Sequence, residues 1–351
     1  MSNIKVGVVG VGALGRHHAR ILSKMEGVDL VGVVDPSPQN GEAVAQACGC
    51  PWFTSHTELF DRCDAVSIVV PTSLHQPISR EFLSQGIDVL VEKPLTANVS
   101  TAEDIVDLAQ KQGRILQVGH VERFNSAYQA VKSTISSSPR YIRAERLAPF
   151  TFRSTDISVV FDLMIHDIDL CLDMTRSPVV TVKSFGFALM GKLLDTVQTR
   201  LWFANGAIAD LTASRVNPEP RRTLQVWTAA ECIEANLHER QVRCYAPTEE
   251  LINGPLPVEM AKQPGANVSE LKDSVFGRFI NTTQVDVPTV DALTAELQEF
   301  VDCVRERNKP DVDGYAALQA VTIAATVEES VSHHNWSGWG LQSNTAKRRA
   351  A

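Results

Sequence analysis

No run of the chain approaches the roughly 20 consecutive apolar residues that a bilayer-spanning helix requires. The apolar stretch at residues 4–9 is punctuated by glycine and lacks a cleavage region, so it reads as a first strand and not as a secretory signal. Positive charge is also short. Lys and Arg number 33 against 41 Asp and Glu, a formal net charge of −8, whereas a general nucleic-acid binder carries a basic surplus. Cysteines are few, seven in all and scattered, which argues against a disulfide framework and for reduced thiols in a cytoplasmic setting. Cys48-Gly-Cys50 is the one close pair. It has no further Cys or His at ligand spacing, so no metal site is expected. Internal repeats are absent. What remains is the composition of an ordinary globular protein, 44% hydrophobic and 21% charged over 351 residues. That is more chain than one core usually serves, so two domains are expected.

The organising stretch lies at the start. Residues 4–9 are Val-rich, and Gly10, Gly12 and Gly15 follow at G-x-G-x-x-G spacing around Val11, Ala13 and Leu14. Gly10 permits a tight turn out of the strand. Gly12 lets a diphosphate approach the backbone, and Gly15 lets the next helix pack close. The N-terminus of that helix offers backbone N–H groups and partial positive charge to phosphates. A second apolar run, Val28 to Val34, ends at Asp35, 20 residues after Gly15. An acid there binds the adenosine ribose hydroxyls and repels a 2′-phosphate. Pro36-Ser37 brings no cation to rescue one, so NAD is favoured over NADP.

Strands and helices continue to alternate. Strands are read at 64–70, 87–91 and 114–118, and helices at 41–48, 74–85 and 100–112, the last two stopped by Gly86 and Gly113. Repeated β-α-β units predict a doubly wound parallel sheet of the Rossmann type, whose ligands sit at the carboxyl ends of the strands. Gly10–Gly15, Asp35, Pro71-Thr72, Glu92-Lys93-Pro94 and Gly119-His120 all fall at such ends.

Beyond about residue 140 the period changes to two, at 141–147, 180–187, 196–203, 208–214 and 223–228. This predicts an open-faced, mostly antiparallel sheet in an α+β domain, with Asn205-Gly206 closing a hairpin. One helix is expected at about 159–175. Residues 246–290 read as an irregular excursion, 291–307 and 316–331 as helices, and 337–351 as a tail. The expected division is therefore 1–122 for NAD binding and 123–336 for substrate binding and assembly, the last helices free to pack back on the first domain. A one-sided sheet with apolar alternation needs a cover, so a homodimer or homotetramer through that sheet is expected.

The fingerprint, Pro71-Thr72-x-x-His75, Glu92-Lys93-Pro94 and a downstream Asp162-Leu-Met-Ile-His166 together resemble the Gfo/Idh/MocA oxidoreductase family. The resemblance runs from Lys5 to about Val331. It implies that Lys93 lies beside the nicotinamide and the reacting hydroxyl, that His75 shapes that end of the cleft, and that Asp162 and His166 complete the site. Oxidising a secondary alcohol requires hydride loss from carbon and proton loss from oxygen, and the proton acceptor needs an affinity suited to the working pH. His166 starts near neutrality, and Asp162 lies four residues before it, on the same face of a regular helix. The reading is that His166 is the general base and Lys93 holds and polarises the hydroxyl, with Asp162 orienting one of them or the sugar. The reverse assignment of Lys93 and His166 stays open.

Residues 118–125, Val-Gly-His-Val-Glu-Arg-Phe-Asn, and 156–169 resemble the branch of that family that oxidises the 3-hydroxyl of UDP-N-acetylglucosamine-type sugars. This places Asn125 among the substrate residues. A nucleotide diphosphate calls for arginine forks. Arg123 and Arg153 are the candidates, with Arg215, Arg221 and Arg222 weaker ones. Adjacent His17 and His18 diverge by about 100° on a helix and cannot share a metal. The other readings are a dehydrogenase of a different sugar, inositol or polyol, and a non-catalytic NAD- or sugar-sensing protein.

Overall fold

A computed structural model of the chain describes residues 3–152 and 154–334. Arg153 and the tail lie outside the described residues. The first half builds a six-stranded parallel sheet in the order β3-β2-β1-β4-β5-β6. Its strands are β1 (Ile4–Val9), β2 (Val28–Val34), β3 (Trp52–Phe53), β4 (Ala65–Ile68), β5 (Asp88–Glu92) and β6 (Leu116–Gly119). The two-residue edge strand β3 gives no periodic signal and was not legible in the sequence. β4, β5 and β6 are buried at every residue, as a parallel sheet covered on both faces demands. The connecting helices are α1 (Gly15–Leu22), α2 (Pro38–Cys48), α3 (His75–Ser84) and α4 (Val99–Gln112).

After β6 the chain makes a 3₁₀ turn (Val121–Phe124) and α5 (Ser126–Thr134). It then enters an eight-stranded sheet in the order β14-β13-β12-β11-β7-β10-β9-β8. The strands are β7 (Tyr141–Leu147), β8 (Val179–Phe187), β9 (Thr196–Phe203), β10 (Ile208–Ser214), β11 (Arg221–Trp227), β12 (Cys232–Asn236), β13 (Gln241–Pro247) and β14 (Ile280–Val285). Only β7 and β10 pair in parallel; the other pairs are antiparallel. The Asn205-Gly206 hairpin joins β9 to β10, with Gly206 at φ 87°.

One face of this sheet, carrying Ile142, Ala144, Leu201, Ala209, Leu224 and Val226, is buried. The opposite face holds Tyr141, Arg143, Lys183, Arg200, Trp202 and Asp210 around a shallow concavity of about 570 Å³. There Arg200 grips Asp210, its direct cross-strand neighbour, and Tyr141 donates a 2.8 Å hydrogen bond to the same carboxylate.

Between β7 and β8 lies the element that matters most for the site. The expected single helix is a π-helical turn, Val160–Met164, running into α6 (Ile165–Thr175). The expected irregular excursion holds three short helices, α7 (Glu249–Asn253), α8 (Pro257–Ala261) and α9 (Val268–Asp273), before β14. α10 (Ala292–Glu306) is capped by Asp291, whose side chain accepts from the Thr294 N–H. Its apolar stripe, Leu297, Phe300, Val301 and Val304, packs into the same core as Val6, Val8 and Leu22 of the parallel sheet and α1. α11 (Gly314–Ser332) packs against α4, α6 and β8 and so bridges the two sheets. Just before it, Val312 accepts a 3.0 Å backbone hydrogen bond from Val118 at the edge of β6.

Candidate active site

The glycine loop is shaped as its spacing requires. Gly10 has φ 84°, and a Cβ there would lie 2.3 Å from the Val69 carbonyl oxygen. A Cβ on Gly15 would meet the Gly10 carbonyl oxygen at 1.8 Å, so the first turn of α1 rests directly on the turn out of β1. At Gly12 a Cβ would meet nothing within 4 Å. The bare backbone therefore opens onto free space, the form a diphosphate cradle needs. No side chain caps the start of α1. Asp35 ends β2 buried; its Oδ2 accepts from the Val11 N–H at 3.0 Å and its Oδ1 from the Ser37 N–H at 2.9 Å. The acid at the end of β2 is thus tied to the glycine loop itself.

Gly12, Ala13, Leu14, Pro71, Thr72, Glu92 and Lys93 line one wall of a cleft of about 390 Å³. Ser154, Asp156, Ile157 and Asp162 line the other, so the cleft lies between the two sheets' loops. Lys93 spans it. Its Nζ donates to the Asp162 backbone carbonyl at 2.7 Å and to Asp162 Oδ1 at 3.3 Å, with both side chains about one-fifth exposed.

The support beneath Lys93 was only partly legible. Glu92 is buried, and a Cβ on Gly119 would come within 3.0 Å of its carboxyl, so glycine makes room for it on β6. Burial would raise the Glu92 carboxyl, but the His18 ring at 3.2 Å, together with Lys93, outweighs this and holds it below the usual carboxylate range. His18 in turn bonds Ser67 on β4 at 2.9 Å. It braces the Lys93 tripeptide, a role its position in a His-His pair does not advertise. His75 differs from its expected cofactor contact. It is buried, its Nδ1 lies 2.8 Å from the Pro94 carbonyl and its Nε2 2.9 Å from the Val70 carbonyl. Burial lowers its proton affinity, so the ring is neutral with one N–H to donate to one of these two carbonyls, and it packs between the turn after Lys93 and the segment following β4.

On the opposite wall, Asp162 lies inside the π-helical turn and His166 just beyond it, so they are not spaced as on a regular α-helix. Such turns widen the helix locally and recur at functional sites. His166 is nine-tenths buried. Burial first, and then the charges of Lys93, Arg146, His120 and Arg222, push its imidazole well below the ordinary histidine range. Its Nδ1 is enclosed without a hydrogen-bond partner, and the ring sits just behind the cleft lining formed by Asp162.

The packing engages three residues expected at the ligand with partners inside the protein. Arg123 is buried and bidentate on Asp169, at 2.6 and 2.8 Å, and reaches Asp173 at 2.9 Å. It has no fork left for a phosphate. Asn125 caps α5, accepting from the Ala127 N–H and donating to Glu122 and to the Leu237 carbonyl. His120 is fully enclosed beside His166 and does not line the cleft. Arg153 lies outside the described residues. Of the weaker candidates, Arg215 is buried and holds the cleft-lining loop through the Ser154 and Ile157 carbonyls while its Nε pairs with Asp195. Arg221 pairs with Glu145.

Arg222 is different. It lies opposite Arg146 in the β11–β7 register, half exposed, with only a 3.5 Å approach to Glu122. Arg146 itself is enclosed between Glu122 at 2.7 Å and Asp167 at 2.8 Å. Burial lifts the Asp167 carboxyl despite Arg146, whereas Arg146 and Arg222 overcome burial at Glu122 and lower it.

The comparisons with known proteins agree with this layout. Residues 4–120 match the Gfo/Idh/MocA oxidoreductase family's NAD-binding Rossmann fold, and residues 124–233 match a Gfo/Idh/MocA C-terminal domain. A UDP-N-acetylglucosamine 3-dehydrogenase of Acidithiobacillus ferrooxidans is 32% identical over 94% of this chain and 98% of its own. The solved structure of that enzyme superposes with a TM-score of 0.82. The scyllo-inositol 2-dehydrogenase (NAD(+)) of Bacillus subtilis is 27% identical over 92% of this chain and 93% of its own. An oxidoreductase from Agrobacterium radiobacter, solved with NAD+, shares the fold at 15% identity, with a TM-score of 0.78 over 95% of this chain and 97% of its own. By both its domains, the chain belongs to the Gfo/Idh/MocA oxidoreductase family.

Proposed function

We propose that the protein oxidises a secondary hydroxyl of a sugar, and that its substrate is a UDP-N-acetylhexosamine oxidised at the 3-hydroxyl. The observation that carries the reading is the Lys93–Asp162 pair, set across a cleft whose near wall is the glycine loop. NAD supplies the hydride acceptor when bound. Lys93 Nζ, held by Asp162, donates to the substrate oxygen and stabilises charge developing there. His166, kept neutral by burial and its cationic surroundings, takes the hydroxyl proton at Nε2. Arg222 replaces Arg123 as the cation for the substrate diphosphate, because it is half exposed and only loosely paired. The extent and identity of the match to the Acidithiobacillus enzyme support the nucleotide sugar as substrate. A sensor that only binds NAD or sugar has no use for a lysine poised on a carboxylate beside a neutral histidine. We further propose that the open face of the eight-stranded sheet, with Trp202 flanked by Lys183 and Arg200, joins two copies of the chain.

The test is reduced-nicotinamide absorbance with enzyme at stoichiometric concentration, NAD and UDP-N-acetylglucosamine. A rise is expected in the wild type, and a rate lower by about 10³-fold in Lys93→Met, the scale of a lost proton-handling or charge-stabilising group. No rise with the nucleotide sugar but a rise with scyllo-inositol would move the substrate to the free polyols. No rise with either would overturn the dehydrogenase reading.

A further inference from the structure

His120 follows β6 directly, is fully buried, and has no hydrogen-bond partner at either ring nitrogen. An unpaired buried polar group is costly, and an apolar side chain would fill this space without that penalty. What the ring faces is chemically pointed. Its plane meets the His166 ring at 81°, with centroids 6.2 Å apart. His166 Nδ1, the enclosed nitrogen, also lacks a partner. On its other side, His120 Nδ1 lies 3.9 Å from Asp169 Oδ2, a carboxylate anchored by Arg123.

Resting on the dehydrogenase reading above, we propose that His120 and His166 form an imidazole pair that stores the proton released on substrate oxidation. His166 accepts the hydroxyl proton at Nε2 and passes its Nδ1 proton, over one bridging water, to His120, where the Asp169 carboxylate steadies the imidazolium. The step balances. The substrate C–H hydrogen leaves with its electron pair to the bound cofactor, and the O–H pair becomes the second bond of the carbonyl. The hydroxyl proton enters His166 as another leaves it, so His166 ends neutral with its tautomer reversed and His120 ends cationic. On reduction of a carbonyl each movement reverses.

The charges around the pair favour this direction. Lys93 beyond β5, Arg146 on β7 and Arg222 on β11 all act against a proton on His166, and burial does the same. The carboxylates on the flanking helical segment do not offset this: Asp162 is turned to Lys93 and Asp167 to Arg146. At His120, burial outweighs the carboxylates and, with Arg123 and Lys93, holds the ring below the ordinary histidine range, but Asp169 directly and Glu92 more weakly counter it, so it is lowered less far than His166. The proton is better held on His120 than on His166.

The experiment uses full-length His120→Ala and His120→Asn, with single-turnover formation of reduced nicotinamide and an NMR titration of the His166 ring without substrate. Hydride transfer should slow by about 100-fold in both variants, with NAD affinity unchanged. Imidazole added to His120→Ala should restore transfer, and thiazole, similar in shape but a far weaker base, should not. In His120→Asn the His166 midpoint should rise, because one of the groups that lowers it is gone. Transfer within about threefold of wild type in both variants, or equal rescue by thiazole and imidazole, would overturn the proposal and leave His120 a packing residue. If the wild type reduces no NAD with any sugar or polyol, the dehydrogenase reading has failed instead. The titration still decides the pair: an unmoved His166 midpoint in His120→Asn overturns it.

Discussion

On the cofactor wall of the cleft the working groups are backbone: a turn at Gly10, an open face at Gly12, and the uncapped start of α1. On the substrate side, which begins at Lys93, they are side chains, and each is held by another side chain. Lys93 rests on Asp162, Arg146 is wedged between Glu122 and Asp167, and Arg123 is locked on Asp169. The first kind of site is specified by what is left out at three positions close in sequence. The second is specified by pairs 21 to 69 residues apart. Local omission is tolerant of everything except added bulk. Long-range pairing is tolerant of bulk but intolerant of an unmatched charge.

The contrast predicts opposite failures on the two walls. Gly15→Val should give the largest effect, since its Cβ would meet a backbone oxygen at 1.8 Å and backbone cannot rotate away. We expect loss of NAD binding together with the cooperative thermal transition of the parallel-sheet half, read by calorimetry with and without NAD. Gly12→Ala, with nothing within 4 Å, should leave the transition in place and weaken only the cofactor. Equal melting behaviour in the two variants would refute the division of labour among the glycines.

Arg146→Met tests the other wall. The chain of methionine is of comparable length, yet Asp167 is left buried without its counter-charge and Glu122 keeps only the 3.5 Å approach of Arg222. Breaking a buried pair in this way costs about 3–5 kcal/mol, measurable as a shift in urea midpoint at unchanged slope. A loss no larger than that of an exposed pair would show that the network is hydrated and that the comparison is overdrawn.

These failures also explain what could be read in advance. The glycine loop, Asp35 and Lys93 lie at strand ends, and strand ends are announced by local patterns. Arg123 and Asn125 carry the right chemistry for a ligand and were read as ligand contacts. Nothing local reveals that Asp169, 46 residues on, consumes the arginine, or that Asn125 faces the start of its own helix. The π-helical turn before His166 is equally silent, because Val160, Phe161, Leu163 and Met164 around Asp162 read the same in an α-helix. β12 and β13 escaped notice because their hairpin turns through Arg240 at φ 56° without the usual glycine. β14, polar and exposed at most positions, sits at the sheet edge, where burial does not shape composition.

Acidity should separate the walls next. The cofactor wall's carboxylate Glu92 is held below its usual range and stays charged through mild acid. His166 on the substrate wall, lowered well below the ordinary histidine value by burial and then by Lys93 and Arg146, stays neutral and able to accept a proton as the pH falls through about 6.5. The turnover profile should therefore hold its plateau below that value and fall only in more acid solution. An acid limb centred at an unperturbed histidine midpoint would mean that His166 is either solvated or not the base.

The smallest effect returns to the cofactor wall and to the side chain that braces its glycine loop. Asp35 accepts from the Val11 and Ser37 N–H groups, so Asp35→Asn turns one acceptor into a donor facing an N–H, and also removes the charge. Losing a charged acceptor for the ribose hydroxyls is worth about 1.5–3 kcal/mol at most. The displaced loop adds little, since Gly12 keeps the phosphate face open. NAD affinity should fall by roughly tenfold while NADP affinity rises, because the repulsion of the 2′-phosphate is gone. The two dissociation constants, measured by nicotinamide fluorescence on the reduced forms, should converge. A variant that loses both cofactors equally would show that Asp35 works by holding the loop alone. The cofactor wall would then be built, like the substrate wall, on a side chain whose value lies in what it braces.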